Sequence, residues 1–260
     1  MEKIKFVHRV SKGSRFNQIY VPKEMEYHFQ SGDLVEVVLI EKKSSIHYSS
    51  DSIKLSEFKL NLIKDIFLEL RVFKGISQIF IVGSFLTQKQ DYKDIDIILI
   101  SEKNLEKEVY NLLLDKFELR FHIISIPENK FKDLQRYCPL TQSMLFYFIS
   151  NKEFKLPKET EINKDHIRFL LMMPEDILKI KASPKVLYDS IRRLITIERF
   201  LQNLSLNSLE TNKEIQTLIS QKIVKDIRNN ELVNSEIIEK LRDIIKLKLK
   251  KVNSLLKKHE

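Results

Sequence analysis

IFIVGSFLTQKQDYKDIDIILI, residues 79–100, joins two strand-length apolar runs through a small-residue turn and a polar loop. The turn, Gly83-Ser84, follows the first run directly, and Asp94 and Asp96 open the second. Side chains alternate along a strand, so Asp94 and Asp96 are expected to project from one face with Ile95 behind them in the core. Two neighbouring carboxylates repel each other unless a cation neutralises them. Hard oxygen ligands suit Mg²⁺, or Mn²⁺ in its place, with further positions kept for phosphate and water. Gly83 lets the backbone approach a ligand closely and Ser84 offers a hydroxyl, so a triphosphate could sit on backbone N–H groups at the start of the next helical turn. Lys89 and Lys93 in the loop are candidates for phosphate contact, or else plain solvated lysines.

Upstream, a helical pattern over 53–73 spaces Ile63, Ile66, Phe67 and Leu70 for one buried face and stops at Gly75. Downstream, a helical stretch over 105–116 leads into FELRFHIISI, 117–126, read as a strand. The order is therefore β-loop-β-α-β. On the last strand Glu118, Arg120 and His122 share a face, and Glu118 is the one carboxylate on it. Residues 127–150 read as two short helices broken at Pro139, and NKEFKLPKE, 151–159, as a connector. The remaining third is helical throughout. Its strongest segment, 236–256, carries an apolar stripe of Ile237, Leu241, Ile244, Ile245, Val252 and Leu255.

The chain has 260 residues, 43% hydrophobic and 31% charged, which is ample for a sizeable core and for two domains or one with appendages. No apolar run approaches the roughly 18 residues of a membrane span, and MEKIKFVHRV at the N-terminus lacks an apolar signal core, so the expected setting is the cytoplasm with no membrane partner. A lone Cys138 excludes an internal disulfide and a Cys-rich zinc site; a buried, reduced thiol is expected. Glycine occurs only at Gly13, Gly32, Gly75 and Gly83, so long helices with few special turns should follow position 83. From residue 177 onward 18 Lys and Arg face 10 Asp and Glu, so that segment holds almost all of the formal net charge of +9. Such a field attracts nucleic acid by counterion release, or equally marks a solvated helix face.

The combination Gly83-Ser84, polar loop, then Asp94-Ile95-Asp96-Ile97 resembles the signature of the nucleotidyltransferase superfamily, the polymerase-beta-like fold of the minimal type. The resemblance covers about residues 53–150 with the flanking helices and strands. It implies that Asp94 and Asp96 hold the divalent metal, and beside them Gly83, Ser84 and Lys93 are the candidates for nucleotide binding. It also implies a third carboxylate on the following long strand, which helps the attacking hydroxyl lose its proton while a nucleotide is joined and pyrophosphate leaves. Glu118 is the candidate for that catalytic position; the other occupant is His122, which would alter or remove the base.

Residues 4–41, IKFVHRVSKGSRFNQIYVPKEMEYHFQSGDLVEVVLIE, read as strand, Gly turn, strand, a helix opened by Pro22, then Ser31-Gly32-Asp33 and a further strand. A sheet this small cannot bury its own face and needs a partner. The pattern, with Ile19-Tyr20-Val21-Pro22-Lys23-Glu24 and Gly32-Asp33 before an alternating strand, resembles the AbrB-type swapped-hairpin domain. That resemblance implies a homodimer of interlocked copies, with Arg9, Lys12 and Arg15 lying along DNA. A small barrel packing on the rest of the chain is the alternative.

The expectation is a multidomain α+β chain: an AbrB-like β-rich module over 1–45, a nucleotidyltransferase domain with a mixed sheet over 52–155, and an all-helical bundle over 160–260. Two functions are consistent with it. One is a Mg²⁺-dependent transferase that moves a nucleoside monophosphate from an NTP to a hydroxyl on RNA, a protein or a small molecule. The other is a non-catalytic DNA-binding regulator or antitoxin-like protein that uses the transferase fold as a nucleotide sensor or scaffold.

Overall fold

A computed structural model describes residues 4–38, 45–88, 92–157 and 159–259. The chain divides into two compact units, 1–43 and 44–260.

In the first unit the strands β1 (Ser11–Lys12) and β2 (Asn17–Gln18) form a short antiparallel hairpin. Gly13 turns it: its N–H donates to the Phe16 carbonyl at 3.0 Å, and a Cβ would lie 2.5 Å from that same oxygen. Pro22 precedes a 3-10 helix, Lys23–His28, as its fixed φ favours. Gly32 has φ +103°, and the Asp33 carboxylate beside it accepts from the Gln30 N–H at 2.6 Å. The strand expected after Asp33 is not formed over 34–38, and its last residues lie outside those described. The reason is physical: none of residues 4–38 is buried, and Leu34, Val35, Val37 and Val38 are all exposed, so no apolar packing among the described residues of this unit holds that segment as a strand.

The second unit is built on a mixed five-stranded sheet in the order β3-β7-β4-β5-β6, with β3 (His47–Tyr48), β4 (Ile76–Val82), β5 (Ile95–Ser101), β6 (Phe121–Ile126) and β7 (Phe148–Ser150). All neighbours are antiparallel except β5 and β6, which are parallel. That parallel pair needs a crossover, and α2 (Glu106–Phe117) supplies it. Because the period is 2, Ile79, Ile81, Ile97 and Leu99 pack with α1 (Glu57–Glu69) and α2. Phe80, Val82, Ile98 and Ile100 face the other way, where Phe131 of α3 (Glu128–Tyr137) and Leu145, just past α4 (Pro139–Met144), cover them. The central strands are thus covered on both sides and read as nearly continuous apolar runs. The helix expected over 53–73 starts four residues later, where Ser56 caps it by accepting from the Lys59 N–H, and ends in a 3-10 turn, Leu70–Val72.

The helical part consists of α5 (Lys164–Ile177), α6 (Pro184–Leu201), α7 (Ser208–Ile219), α8 (Gln221–Arg228) and α9 (Ser235–Lys258). α6 lies at its centre and packs most extensively on α9. The apolar stripe of α9 is buried over Leu241, Ile244, Ile245, Leu249, Val252 and Leu256. This bundle shares its core with the sheet's own helices: Leu134, Tyr137 and Leu140 pack against it and Cys138 is buried within it. Among the described residues no helix is long and apolar enough to cross a membrane.

Candidate active site

Asp94 immediately precedes β5 and Asp96 is its second residue, so both share the parity of Ile98 and Ile100. Both are half-buried at the end of the strand. In the antiparallel register Asp96 stands opposite Val82, the last residue of β4, which places its carboxylate over Gly83. Gly83 has φ +81°, and a Cβ there would overlap Oδ2 of Asp96. Glycine is therefore required twice over, for backbone conformation and for the close approach of the carboxylate.

On its other side Asp96 is paired in the parallel register with His122 of β6, whose Nδ1 lies 3.0 Å from Asp96 Oδ1. The position beside the aspartates on the neighbouring strand is thus held by a histidine. Glu118 is not in that strand. It ends α2 with φ +56°, in the left-handed region, its N–H donating to the Leu114 carbonyl, and its side chain is exposed. The strand read over 117–126 begins only at Phe121, because this left-handed cap turns the chain before β6 starts.

Burial raises the Asp96 carboxyl above its ordinary range; the His122 hydrogen bond opposes this, the charge of Asp94 adds to it, and the charge of Arg192 opposes it again. Two like charges, one of them partly desolvated, are the situation that a divalent cation relieves. The donor set fits Mg²⁺, which takes one or two carboxylates and completes its shell with water and substrate phosphate. No group of three or more His, Cys, Asp or Glu among the described residues could hold a metal, so Asp94 and Asp96 would bind one only together with such outside ligands.

Ser84 begins a 3-10 turn, Ser84–Leu86, and is exposed; its carbonyl accepts from both the N–H and the hydroxyl of Thr87. Sequence reasoning missed the residue that holds this turn in place. Lys59, on the buried face of α1, donates from Nζ to the carbonyls of Phe85 and Thr87, both at 2.8 Å, and lies 5.1 Å from the ring centres of Phe85 and Tyr92. Burial lowers its pKa. The available signal was a lysine three and four residues ahead of Leu62 and Ile63, on a helix face otherwise apolar.

Lys93 is exposed, with Nζ donating at 3.1 Å to the carbonyl of Arg228 at the end of α8. Lys89 lies outside the described residues. Arg9, Lys12 and Arg15, the DNA candidates, are exposed on the first unit. The structure therefore brings together Gly83, Asp94, Asp96 and His122, and leaves Glu118 apart. The chain matches no model of a known protein family and no curated protein.

Proposed function

We propose that this protein is a Mg²⁺-dependent nucleotidyltransferase of the polymerase-beta-like type, transferring a nucleoside monophosphate from an NTP to a hydroxyl acceptor. The observation that carries the reading is the pairing of Asp94 and Asp96 on one face at the start of β5, with one carboxylate packed against the bare backbone of Gly83. A bound Mg²⁺ would polarise the phosphoryl oxygens and neutralise the charge that develops on them. The work of the chain is positioning. Asp94 and Asp96 hold the ion, Gly83 leaves room, and Ser84 presents its hydroxyl beside them. The acceptor oxygen forms its bond to the α-phosphorus as the bond to pyrophosphate breaks.

His122 replaces the third acid in this scheme. With Nδ1–H donated to Asp96, Nε2 is left as an acceptor for the proton of the attacking hydroxyl, the tautomer being fixed by the carboxylate. Incubation with each labelled NTP, Mg²⁺ and total RNA or protein extract tests the reading. Transferred label that disappears in His122→Ala supports it; binding of NTP without transfer to any acceptor would favour the sensor reading instead.

For the first unit we propose an AbrB-like homodimer that binds DNA. Its support is the wholly unburied 4–38 segment, whose exposed Val7, Phe16, Leu34 and Val37 call for a partner surface. Sedimentation should give a dimer. Arg9→Gln, Lys12→Gln and Arg15→Gln together should lower the salt slope of DNA binding by roughly one unit for each phosphate that is no longer neutralised. An unchanged slope removes the DNA assignment.

A further inference from the structure

A cavity of about 300 Å³ opens in the second unit away from the aspartates. Its apolar wall is made by Phe67 of α1, Leu70 of the 3-10 turn that follows, Phe73, and Ile79 of β4. All four belong to the core between the sheet and the helices α1 and α2. Asp94 and Asp96 share the parity of Ile98 and Ile100, which pack on the opposite face, and Asp96 stands beside Val82 at the other end of β4. The cavity is therefore separate from the candidate active site.

The charges around it are of one sign. Arg71, Lys74 and Lys152 line the cavity, and among its described lining residues there is no Asp or Glu. The acids nearest to them in the chain are engaged elsewhere, Glu69 with Lys116 at 3.3 Å and Glu153 with Lys155 at 3.4 Å. Glu128, whose carboxylate feels the charge of Lys152, is held by Lys132 at 2.8 Å. Among the described residues the ammonium groups of Lys74 and Lys152 have no hydrogen bond or ion pair.

Asn151 adds a neutral donor whose orientation is fixed. β7 pairs with β4 through Ser150 and Phe80, so the next residue, Asn151, falls beside Ile79. Its Oδ1 accepts from the Ile79 N–H at 2.9 Å, and its own N–H donates to the Ile79 carbonyl at 3.3 Å. A backbone N–H can only donate, so the amide oxygen is committed to β4. The amide NH₂ is left on the cavity wall with two hydrogens to give and, among the described residues, no acceptor.

An apolar wall, two uncommitted ammonium groups and a positioned amide donor complement a molecule with an apolar body and an anionic end. An inorganic anion would leave the wall wet, and a neutral apolar molecule would gain nothing from the lysines. We infer that this cavity binds a small organic anion, with its apolar body against Phe67, Leu70 and Phe73 and its carboxylate or phosphate facing Lys74, Lys152 and the Asn151 amide. The volume is at the low end for ligand pockets and limits the occupant to a small one. The inference does not depend on the nucleotidyltransferase reading.

The test is calorimetric titration of the full chain, without Mg²⁺, with 1-naphthoate, 1-naphthyl phosphate, neutral 1-naphthol, acetate and inorganic phosphate. The proteins are the wild type, Lys74→Gln with Lys152→Gln, and Asn151→Asp, which keeps the acceptor for Ile79 but replaces the donor by a negative charge. Thermal melts check that each variant keeps its fold. In the wild type both naphthyl anions should bind about tenfold or more tightly than naphthol, acetate or phosphate, and the tighter of the two identifies the anionic end. Each variant should lose about tenfold or more for the naphthyl anions with naphthol unchanged. Naphthol or acetate binding the wild type as tightly as naphthoate would overturn the inference. So would naphthyl anions that bind the variants as well as the wild type, or that do not bind the wild type at all.

Discussion

Two regions of the second unit hold charge away from bulk water, and they treat it in opposite ways. In the bundle, Glu198 and Lys248 are almost wholly buried, with side chains 4% and 8% exposed, yet every charge has its complement. Lys248 Nζ donates to Glu198 at 2.8 Å and to Glu214 at 2.7 Å; Lys251 holds the second oxygen of Glu198, and Arg199 reaches Glu210 and Glu214. At the start of β5, Asp94 and Asp96 repel each other, and the hydrogen-bond partner of Asp96 is a histidine. The first arrangement joins α6, α7 and α9. In the second, like charges lie side by side and burial outweighs what His122 and Arg192 offset, which suits a site kept for a cation and its anionic ligand.

The largest expected effect comes from removing that difference. Asp94→Asn with Asp96→Asn should abolish Mg²⁺-dependent NTP binding while leaving the protein folded, because the two charges repel each other when no metal is bound. Calorimetry with and without Mg²⁺ reads the first half and thermal melting the second. Unchanged Mg²⁺-dependent affinity in the double variant would remove the metal site and the contrast with it.

Lys248→Met attacks the other side of the comparison. It leaves Glu198 buried with Lys251 alone and Glu214 with Arg199, and should cost about 3 kcal/mol by urea unfolding, the low end for an orphaned buried charge. Adding Glu198→Leu should recover part of that loss, since a well-packed apolar pair tolerates burial without partners. The pH dependence has a definite sign. Burial pushes the Glu198 carboxyl up, but Lys248 and Lys251 outweigh it, so its pKa is lowered and its stabilisation is lost as pH falls below the ordinary carboxylate range. Burial pushes Lys248 down, but Glu198 and Glu214 outweigh it, so its pKa is raised and its stabilisation fades as pH climbs beyond the ordinary lysine value. The bundle should weaken at both extremes, and Lys248→Met should flatten both limbs.

The two regions also differ in how far a reader of the sequence could see them. Asp94, Asp96 and Gly83 were legible because their relation is local: a strand has a period of 2, and a small-residue turn one strand away pairs with it. The strands β4, β5 and β6 and the helical last third followed from the same periodicities, whereas β3 and β7, the latter inside a stretch read as two short helices, did not. The occupant of the third position was not legible, because it depends on register. Glu118 and His122 have the same parity, and only the left-handed turn at Glu118 decides that β6 starts beyond it. Partners far apart in the chain were hidden for a different reason. A charge inside an apolar stripe, such as Lys248 between Ile245 and Val252 or Lys59 ahead of Ile63, announces that it needs a partner without saying which.

Lys59 offers an intermediate case, a buried cation that donates to two backbone carbonyls. Lys59→Met keeps the stem's packing but removes the donor from the carbonyls of Phe85 and Thr87, and should cost about 1–3 kcal/mol by urea unfolding. Because that turn carries Ser84, Mg²⁺·NTP affinity should fall as well. A stability loss with unaltered affinity would show that the turn is held well enough by its neighbours, and would separate the fold of this loop from its proposed use.

The smallest effect is the most direct measure of the partly desolvated charge on Asp96. Asp96 has its pKa raised in the folded protein, first by burial, so the folded state holds its proton more tightly than the unfolded chain does. Stability contributed by the neutral form is therefore present in acid and is lost as pH rises from the ordinary aspartate range through the raised value. Asp96→Asn removes this dependence and keeps an oxygen able to accept from His122 Nδ1–H. The variant should match the wild type in melting temperature at low pH and melt above it at neutral pH, the gap opening as pH increases. A gap of the opposite sign would mean that the His122 hydrogen bond stabilises the ionised carboxylate by more than burial destabilises it. The aspartate pair would then resemble the satisfied network of the bundle rather than contrast with it.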